Sequence, residues 1–411
     1  MASAQTSSHG SQRIALWGHF GALNFGNECT LGALIHNLRL RLPDAELTCI
    51  CSFPEDTAVR HNLRTVALRS RGDGVEVPSL PRPLRKLWWG WVELRAWWQA
   101  WKEAGRYDAL IIAGTGILTD NGEGALGLPY ELFKWTVASR LRGRKVLFLS
   151  VGTEAMASAA TRFLIKHAAN LAHFCSFRDE HSRDRVLAIG GARHGVVYPD
   201  LAFSLPPPEL TISAADPAHL RIGVGVYNYR NCGEGGPEAA AEYRSYIETL
   251  CVFIEWLTGE GHSVRLLAGD LAYDDEVRED VVAALEQRGF DTKGSQFVSE
   301  PIRSYQDLFL QLAQIDALVA TRFHNIVLSL FLGKACVSLS HETKNLAVMT
   351  SMGLGQYCQQ LEHLSGQTIL EHFQQLLNNR LELERNIAAT ASQNRELLQE
   401  QYAQVMRVLS R

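Results

Sequence analysis

Short apolar, β-branched runs alternate with longer helical patterns along this chain, and no other feature constrains the fold as strongly. The alternation is typical of βαβ units stacked on a parallel sheet. In the first half, six runs predict strands, at residues 13–17, 46–51, 108–113, 145–152, 174–178 and 195–198. The sequence therefore predicts an α/β fold.

The alternation stops at Pro206-Pro207-Pro208 and then begins again. Prolines are stiff and cannot donate a ladder hydrogen bond, so this triplet suits a domain linker. The second half predicts strands at 221–227, 262–269, 317–321 and 335–340, with helices at 238–258 and 274–288. We expect a disordered lead-in at residues 1–12, Rossmann-like domains at 13–205 and 209–365, and C-terminal helices at 366–411.

Size and composition exclude several classes of protein. A chain of 411 residues exceeds the size at which one hydrophobic core usually keeps growing, which agrees with two domains. The net charge of -4 offers no field that would attract nucleic acid. Eight cysteines without paired spacing are typical of buried side chains in a reducing compartment, and we expect no metal site. Residues 1–12 have no apolar signal-peptide core, and no stretch is apolar enough to span a bilayer, so we expect a cytoplasmic protein.

The residues that follow predicted strands are the candidates for a site, because open α/β sheets bind ligands beyond the carboxyl ends of their strands. Two such domains would bring those ends to one cleft. Arg322 directly follows the strand at 317–321 and stands at a helix start, where a guanidinium is able to bind phosphate or carboxylate through two hydrogen bonds. His324, in the same turn, is a candidate proton donor or acceptor, and a histidine bonded to the backbone is the alternative.

Other predicted strand ends add further candidates. The polar residues and glycines are Asn24, Gly26, Asn27 and Glu28 after the first strand, Gly114 and Gly116 after the third, Arg178 and Asp200 after later ones, and His341, Glu342 and Lys344 after the last. Lys344 would place a second cation beside Arg322. The glycines match neither the dinucleotide fingerprint nor the P-loop, but they let a ligand approach the backbone.

Six short motifs follow one another along the chain, each at or near the end of a predicted strand. They are Asn24-Phe-Gly-Asn-Glu28, Ala113-Gly-Thr-Gly-Ile-Leu118, Ser176-Phe-Arg-Asp-Glu-His-Ser182, Pro199-Asp-Leu-Ala-Phe203, Thr321-Arg-Phe-His324 and Glu342-Thr-Lys344. In this order they resemble the polysaccharide pyruvyl transferase family. The resemblance implies a two-domain protein of the GT-B glycosyltransferase type. It also implies transfer of a pyruvyl group from phosphoenolpyruvate to sugar hydroxyls, usually as a ketal, in exopolysaccharide or cell-wall glycan biosynthesis.

The same resemblance implies that Arg322 and His324 match the family's Arg-Leu-His donor site. Phosphoenolpyruvate carries a phosphate and a carboxylate, which Arg322, Lys344 and Arg178 would bind without a cofactor. The chain departs from the family's pattern at four positions, with Asn27 where Asp is usual, Phe323 where Leu is usual, and Ala113 and Thr115 in a run normally richer in glycine.

The chemistry implied is acid-catalysed addition. An acid protonates the methylene carbon of the donor, a sugar hydroxyl attacks, and phosphate leaves as a second hydroxyl closes the ketal. His324 is the candidate acid or base, with Asp200 or Glu28 as its carboxylate partner, and the acceptor is a sugar or a lipid-linked glycan. Two alternatives are a GT-B glycosyltransferase that uses a nucleotide sugar and a non-catalytic sugar-binding protein of the same fold.

Residues 83–106 predict an amphipathic helix. Its apolar face consists of Leu84, Leu87, Trp91, Leu94, Trp98 and Trp101, spaced three and four apart, and its positive charges are Arg82, Arg85, Lys86 and Arg95. Such a helix is able to lie in a membrane interface, here the inner face, which would suit an acceptor carried on a lipid. Packing of this face against the sheet, or against another subunit, is the alternative.

Overall fold

The computed structural model describes residues 11–69, 81–121, 123–209, 216, 218–228, 237–271, 273–340, 343–360 and 366–411, without the side chains of 82, 83 and 237–239. Most of the predicted lead-in, residues 1–10, lies outside this set. Internal contacts divide the chain into two compact units. The first comprises the described residues of Met1–Ala22, Thr30–Ser204 and Leu397–Arg411, and the second comprises those of Leu23–Cys29 and Leu205–Glu396.

The first unit is built on a parallel sheet. Its strands are β1 (Arg13–Gly18), β2 (Glu46–Cys51), β3 (Arg64–Ala67), β4 (Ala109–Ile112), β5 (Lys145–Val151), β6 (Phe174–Phe177) and β7 (Val196–Val197). They are hydrogen-bonded in the order β3-β2-β1-β4-β5-β6-β7, with neighbours parallel. The central strands β1, β4 and β5 are buried almost throughout, which is why the sequence shows continuous apolar runs there.

The second unit repeats this arrangement. Its strands are β8 (Arg221–Gly225), β9 (Ser263–Leu267), β10 (Phe297–Val298), β11 (Ala317–Ala320), β12 (Ala335–Leu339) and β13 (Cys358–Gln359). Their order, β10-β9-β8-β11-β12-β13, again reverses direction beside the first strand of the unit. Both sheets therefore have the doubly wound topology, and the predicted fold class is confirmed.

Helices cover the sheets. They are α1 (Phe25–Arg41), α2 (Pro54–His61), α3 (Arg82–Ala104), α4 (Leu128–Leu141), α5 (Ala159–Asn170), α6 (Glu180–Ala188), α7 (Pro237–Gly259), α8 (Asp274–Gln287), α9 (Tyr305–Ala313), α10 (Phe323–Phe331), α11 (Thr343–Ser351) and α12 (Gly366–Leu409). Where C-terminal helices are predicted at 366–411, the structure has one continuous helix, α12, of 44 residues. Among the described residues, no helix is both long and apolar enough to cross a membrane.

An arginine–aspartate pair joins the amino ends of the two central strands in each sheet. Arg13 begins β1, and its backbone N–H and Nη2 donate to the carboxylate of Asp108, directly before β4, at 2.9 and 3.2 Å. Arg221 begins β8, and its backbone N–H, Nε and Nη2 donate to Asp316, directly before β11, at 2.8, 2.9 and 2.7 Å. These arginine–aspartate pairs thus lie at the amino ends of the strands. The candidate turns lie at the opposite edge of each sheet, its carboxyl edge, where the strands end.

Asp316→Asn is expected to remove an acid-sensitive part of the stability. Burial opposes ionisation of Asp316, but the hydrogen bonds from Arg221 outweigh it and hold the pKa of that carboxyl below its usual range. A carboxyl with a lowered folded pKa stabilises the protein above its unfolded pKa of about 3.9, and this contribution disappears as pH falls. In urea denaturation, the free energy of unfolding should therefore fall less between about pH 6 and pH 3 in Asp316→Asn than in the wild type.

Asp108→Asn is the matched control, because Asp108 has the same place in the first sheet. Its side chain is 41% exposed, against 3% for Asp316, so solvent screens its pair more strongly. We expect a smaller change in the acid sensitivity of this variant. Equal changes in the two variants would contradict burial as the source of the difference.

Candidate functional site

Arg322 lies at the carboxyl edge of the second sheet and is held there by a buried carboxylate. It directly follows β11 as the N-cap residue of α10. Its Nε and Nη2 donate to the two carboxylate oxygens of Asp274 at 2.7 and 2.6 Å, and Nη2 lies 3.9 Å from an oxygen of Asp270. The guanidinium carbon lies 4.5 Å from the centre of the Tyr227 ring, in cation–π contact. Arg322 is therefore fixed in orientation from three sides.

The charge of Arg322 is stabilised by the same carboxylate. Burial opposes that charge, but the hydrogen bonds to Asp274 outweigh it and raise the pKa of the guanidinium. The predicted cationic turn is thus closely paired with an anion, and a second carboxylate, Asp270, lies beside it.

Asp274 joins three turns of the second sheet. It is the first residue of α8 and is fully buried. Besides the two bonds from Arg322, its oxygens accept the backbone N–H of Asn228, beyond β8, at 3.1 Å and that of Gly269, beyond β9, at 3.2 Å. Its partners therefore come from the ends of β9, β8 and β11, which are neighbours in the sheet.

The Asn24 turn reaches this cluster through Asp270. Asn24 Nδ2 donates to Asp270 Oδ2 at 3.1 Å, and the two residues form an antiparallel bridge. Asn24 Oδ1 accepts the backbone N–H groups of Gly26 and Asn27 at 3.0 and 3.3 Å, so the side chain caps α1. Internal contacts place Leu23–Cys29 in the second unit, whereas the predicted boundaries of the first domain, 13–205, include this turn.

The His324 imidazole packs on the backbone of Gly26. A Cβ added to Gly26 would lie 1.9 Å from Nδ1 of His324, so only glycine leaves room for the ring. His324 is half-buried in the first turn of α10, and its ring meets Phe323 edge-on with centroids 5.0 Å apart. The first and fifth motifs of the sequence are thereby brought into direct contact.

Lys344 lies near the same helix start. It is the second residue of α11, and its Nζ is 6.0 Å from the centre of the ring of Phe323, the residue between Arg322 and His324. His341 and Glu342, which the sequence analysis placed in the same turn, lie outside the described residues.

Glu28 lies in the first turn of α1 and is buried, with 1% of its surface exposed. Its surroundings include Tyr305, at the start of α9. Burial, with the added effects of Cys29 and Glu28, raises the pKa of the Tyr305 hydroxyl to about 12. Glu28 thus belongs to the interior of the second unit.

A second polar cluster lies at the carboxyl edge of the first sheet. Arg178 directly follows β6, and its Nη1 lies 3.7 Å from Oδ2 of Asp200, both side chains being 3% exposed. Its Nε lies 3.5 Å from Oδ2 of Asp179. Burial raises the pKa of the Asp200 carboxyl above its usual range, against the lowering effect of the Arg178 charge. A Cβ on Gly116 would have Oε1 of Glu154 and Nη2 of Arg178 as neighbours, at 3.4 and 3.7 Å.

Two residues beside this cluster have structural roles. Asp179 caps α6, since its Oδ1 accepts the backbone N–H of Ser182 at 2.6 Å. A Cβ on Gly114 would lie 2.5 Å from the backbone oxygen of Leu149, so packing of the turn on β5 already requires glycine there.

The sequence candidates therefore form two clusters. The second unit holds Asn24, Gly26, Asn27, Glu28, Arg322, His324 and Lys344, and the first unit holds Gly114, Gly116, Arg178 and Asp200. Sequence reasoning missed Asp270, Asp274 and Tyr227. A signal was present, because Tyr227 ends the predicted strand at 221–227, and Asp270 and Asp274 come after the one at 262–269. An acidic helix start such as Asp274 is, however, usually explained by the helix dipole alone.

Comparison of sequences relates the chain to one family. The sequence model described as "Polysaccharide pyruvyl transferase" matches residues 24–343, which include both clusters except Lys344. The amylovoran biosynthesis protein AmsJ of Erwinia amylovora is 29% identical over 91 residues, which are 22% of this chain and 22% of that protein.

Comparison of structures finds UDP-N-acetylglucosamine 2-epimerases. A putative one from Listeria monocytogenes has a TM-score of 0.57 at 11% identity, over 92% of this chain and 91% of that chain. The enzyme from Methanocaldococcus jannaschii has a TM-score of 0.56 at 9% identity, over 90% of this chain and 93% of that chain. The Neisseria meningitidis enzyme, solved with UDP-GlcNAc bound, has a TM-score of 0.55 at 11% identity, over 95% of this chain and 100% of that chain. At these identities the likeness shows the fold alone, and it confirms the predicted GT-B-like architecture.

Proposed function

This chain belongs to the polysaccharide pyruvyl transferase family and is a transferase, and from that premise we propose that it moves a pyruvyl group from phosphoenolpyruvate to sugar hydroxyls. The observation that carries the proposal is the turn at Arg322 and His324, where Asp274 fixes the guanidinium and Gly26 seats the imidazole. The similarity to a protein named for amylovoran biosynthesis supports a role in exopolysaccharide biosynthesis.

Arg322 would bind the phosphate or the carboxylate of the donor. A guanidinium has five N–H groups, and two of those of Arg322 donate to Asp274. The other three are the ones that would donate to an anion. The start of α10 adds backbone N–H groups at the same place, and Lys344 adds a second positive charge. Asp274 accepts four hydrogen bonds, so its charge is compensated and it acts as a positioning residue.

The reaction needs one proton on carbon and the removal of two from hydroxyls. His324 protonates the methylene carbon, and the first sugar oxygen attacks the adjacent carbon while its proton passes to His324. The bond from that carbon to the phosphate oxygen then breaks. The second sugar oxygen closes the ketal, and its proton leaves with the phosphate, so protons and charges balance.

The two candidate carboxylates are assigned to different parts of this chemistry. Glu28 shares the second unit with His324, and we assign it to the donor turn. Asp200 shares the first unit with Arg178, 3.7 Å away, and we assign it to an acceptor hydroxyl as a hydrogen-bond acceptor that orients the hydroxyl without taking its proton.

Gly26→Ala is expected to lower activity sharply, because the new methyl group would occupy the place of the His324 ring. A displacement of about 1 Å can cost about 10²-fold in rate, and we expect a loss of that order in phosphate release from phosphoenolpyruvate. Gly259→Ala, whose Cβ would meet nothing within 4 Å, is the matched control and should keep wild-type activity. Full activity of Gly26→Ala would show that the position of His324 is unimportant.

Calorimetric titration with phosphoenolpyruvate, and separately with UDP-GlcNAc, tests the donor. We expect the wild type to bind phosphoenolpyruvate and Arg322→Ala to bind it at least about tenfold more weakly, because hydrogen bonds to charged groups contribute about 1.5–3 kcal/mol. Arg288→Ala is the control, since Arg288 pairs with Glu255 on the surface of the same unit and should not matter. Binding of UDP-GlcNAc without binding of phosphoenolpyruvate would overturn the proposal.

A nucleotide-sugar glycosyltransferase is the second candidate function. The observation in its favour is the fold shared with a solved structure bound to UDP-GlcNAc. In that case Arg322 and Lys344 would bind the diphosphate, and the same titrations distinguish the two donors.

A further inference from the structure

Helix α3 packs on the first unit with its alanine face. Ala96, Ala100 and Ala104 are buried, one turn apart. Beside them Trp97 packs edge-on against Tyr130 and Phe133 of α4, and its Nε1 donates to the Tyr130 hydroxyl at 2.7 Å. The buried side of α3 is thus already packed against the rest of the first unit.

The other side of α3 exposes its largest side chains. We call this the tryptophan face, formed by Leu84, Leu87, Trp91, Leu94, Trp98 and Trp101, each between 41% and 71% exposed. The interpretation that this face packs against the sheet is therefore wrong. Six large apolar side chains in a row on one surface mark an interaction site.

Positive charges accompany the tryptophan face. Among the described side chains of α3, the exposed cations are Arg85, Lys86, Arg95 and Lys102. Arg95 lies over the ring of Trp91 at 5.6 Å, and Lys102 lies over that of Trp98 at 5.2 Å.

The two acidic residues of α3 are engaged on other sides of the helix. Glu93 accepts the hydroxyl of Tyr130 at 2.7 Å, and Glu103 pairs with Arg106 at 3.0 Å. Among the described side chains of α3, the charges beside the tryptophan face are therefore positive.

A second copy of the chain fits this face poorly. The 3–4 spacing would place Trp91, Trp98 and Trp101 in a coiled-coil seam, where Leu and β-branched residues pack best. Arg95 and Lys102 would flank that seam, and facing copies would oppose like charges rather than form interhelical salt bridges. A flat anionic surface would not require the tryptophans to pack in a helix–helix seam, and it would attract the positive charges.

We propose that the tryptophan face binds the surface of an anionic lipid membrane. Tryptophan side chains favour the membrane–water interface, and the apolar row would enter the boundary between headgroups and acyl chains. The flanking cations would pair with lipid phosphates. α3 would then lie in the plane of the membrane, with its alanine face still packed on the first unit.

Flotation of the full-length protein with vesicles tests this directly. We expect the wild type to float with vesicles containing phosphatidylglycerol and to stay unbound with pure phosphatidylcholine. Trp91→Ser/Trp98→Ser should abolish flotation, and Arg95→Gln/Lys102→Gln should lower the partition coefficient roughly thirtyfold, because each cation near an anionic surface contributes about 1 kcal/mol. Donor binding by both variants should stay at the wild-type level, which separates this proposal from the proposed function and shows that the variants fold.

Leu126→Ser is the matched control, since Leu126 is 81% exposed in the first unit but is not on α3, and it should float like the wild type. Absence of wild-type flotation with anionic vesicles would overturn the proposal. So would a dimer in light scattering that Trp91→Ser/Trp98→Ser dissociates while vesicle binding persists, because a second copy would then cover the face.

Discussion

His324→Gln is expected to lower the rate constant of pyruvyl transfer by about 10²- to 10⁴-fold, the contribution typical of a general acid or base. Glutamine keeps hydrogen-bonding capacity but cannot carry a proton to carbon at neutral pH. The His324 ring packs against the backbone of Gly26, so its position in the site is fixed by that contact. Single-turnover measurements with phosphoenolpyruvate and an acceptor sugar would give the rate constant separately from donor affinity.

The control is His167→Gln, on α5 in the first unit, where the imidazole contacts the Phe163 ring at a tilt of 56°, with the ring centroids 4.2 Å apart. This variant should transfer pyruvate at the wild-type rate. Donor affinity of His324→Gln should change much less than its rate constant. A rate constant within about threefold of the wild type would exclude His324 as the proton-transfer group.

Asp274→Ala is expected to destabilise the protein by about 3–5 kcal/mol and to abolish donor binding, because removing one partner of a buried pair leaves an uncompensated charge. The Asp274 side chain is fully buried and that of Arg322 is 20% exposed. The change would also leave the backbone N–H groups of Asn228 and Gly269 without their acceptor. Thermal and urea denaturation would measure the loss of stability.

Asp275→Ala is the matched control, since Asp275 is the next residue of α8 and pairs across the helix surface with Arg278, its side chain being 38% exposed. We expect a change of less than about 1 kcal/mol there. The double variant Arg322→Leu/Asp274→Leu should be more stable than Asp274→Ala, because it removes the guanidinium together with its carboxylate partner. If Asp274→Ala were as stable as Asp275→Ala, the buried pair would not hold this edge of the sheet together.

The central strands were predictable because parallel strands buried on both faces require continuous apolar runs, as in β4 and β11. Of the edge strands, β7 was predicted, but β3, β10 and β13 were not. β10 and β13 have two residues each, and β3 is half-exposed with an arginine at its start, so none of them produces such a run.

The turn at Arg322 and His324 was predictable because it directly follows a buried strand. Its partner Asp274 was not, since that contact depends on β9, β8 and β11 being neighbours, an order that local patterns do not specify. The Asn24 turn was assigned by its position along the chain, whereas its bond to Asp270 is a long-range contact.

Helix α3 shows another limit of sequence patterns. Its tryptophan row and its alanine row both recur at helical spacing, and the larger side chains suggest the buried side. The structure buries the alanines instead, because Ala96, Ala100 and Ala104 allow close packing on the first unit.

The central claim, pyruvyl transfer, is tested most directly by following the donor carbon. Phosphoenolpyruvate labelled with ¹³C at the reacting carbon would be incubated with the enzyme and p-nitrophenyl glycosides of galactose, glucose and mannose, and the products observed by NMR. We predict a ketal carbon signal on at least one glycoside, with one phosphate released per ketal and neither formed by His324→Gln. Phosphate release with only labelled pyruvate as product would contradict the account. So would extension of the glycosides when UDP-GlcNAc is supplied beside the labelled donor and that donor stays unchanged.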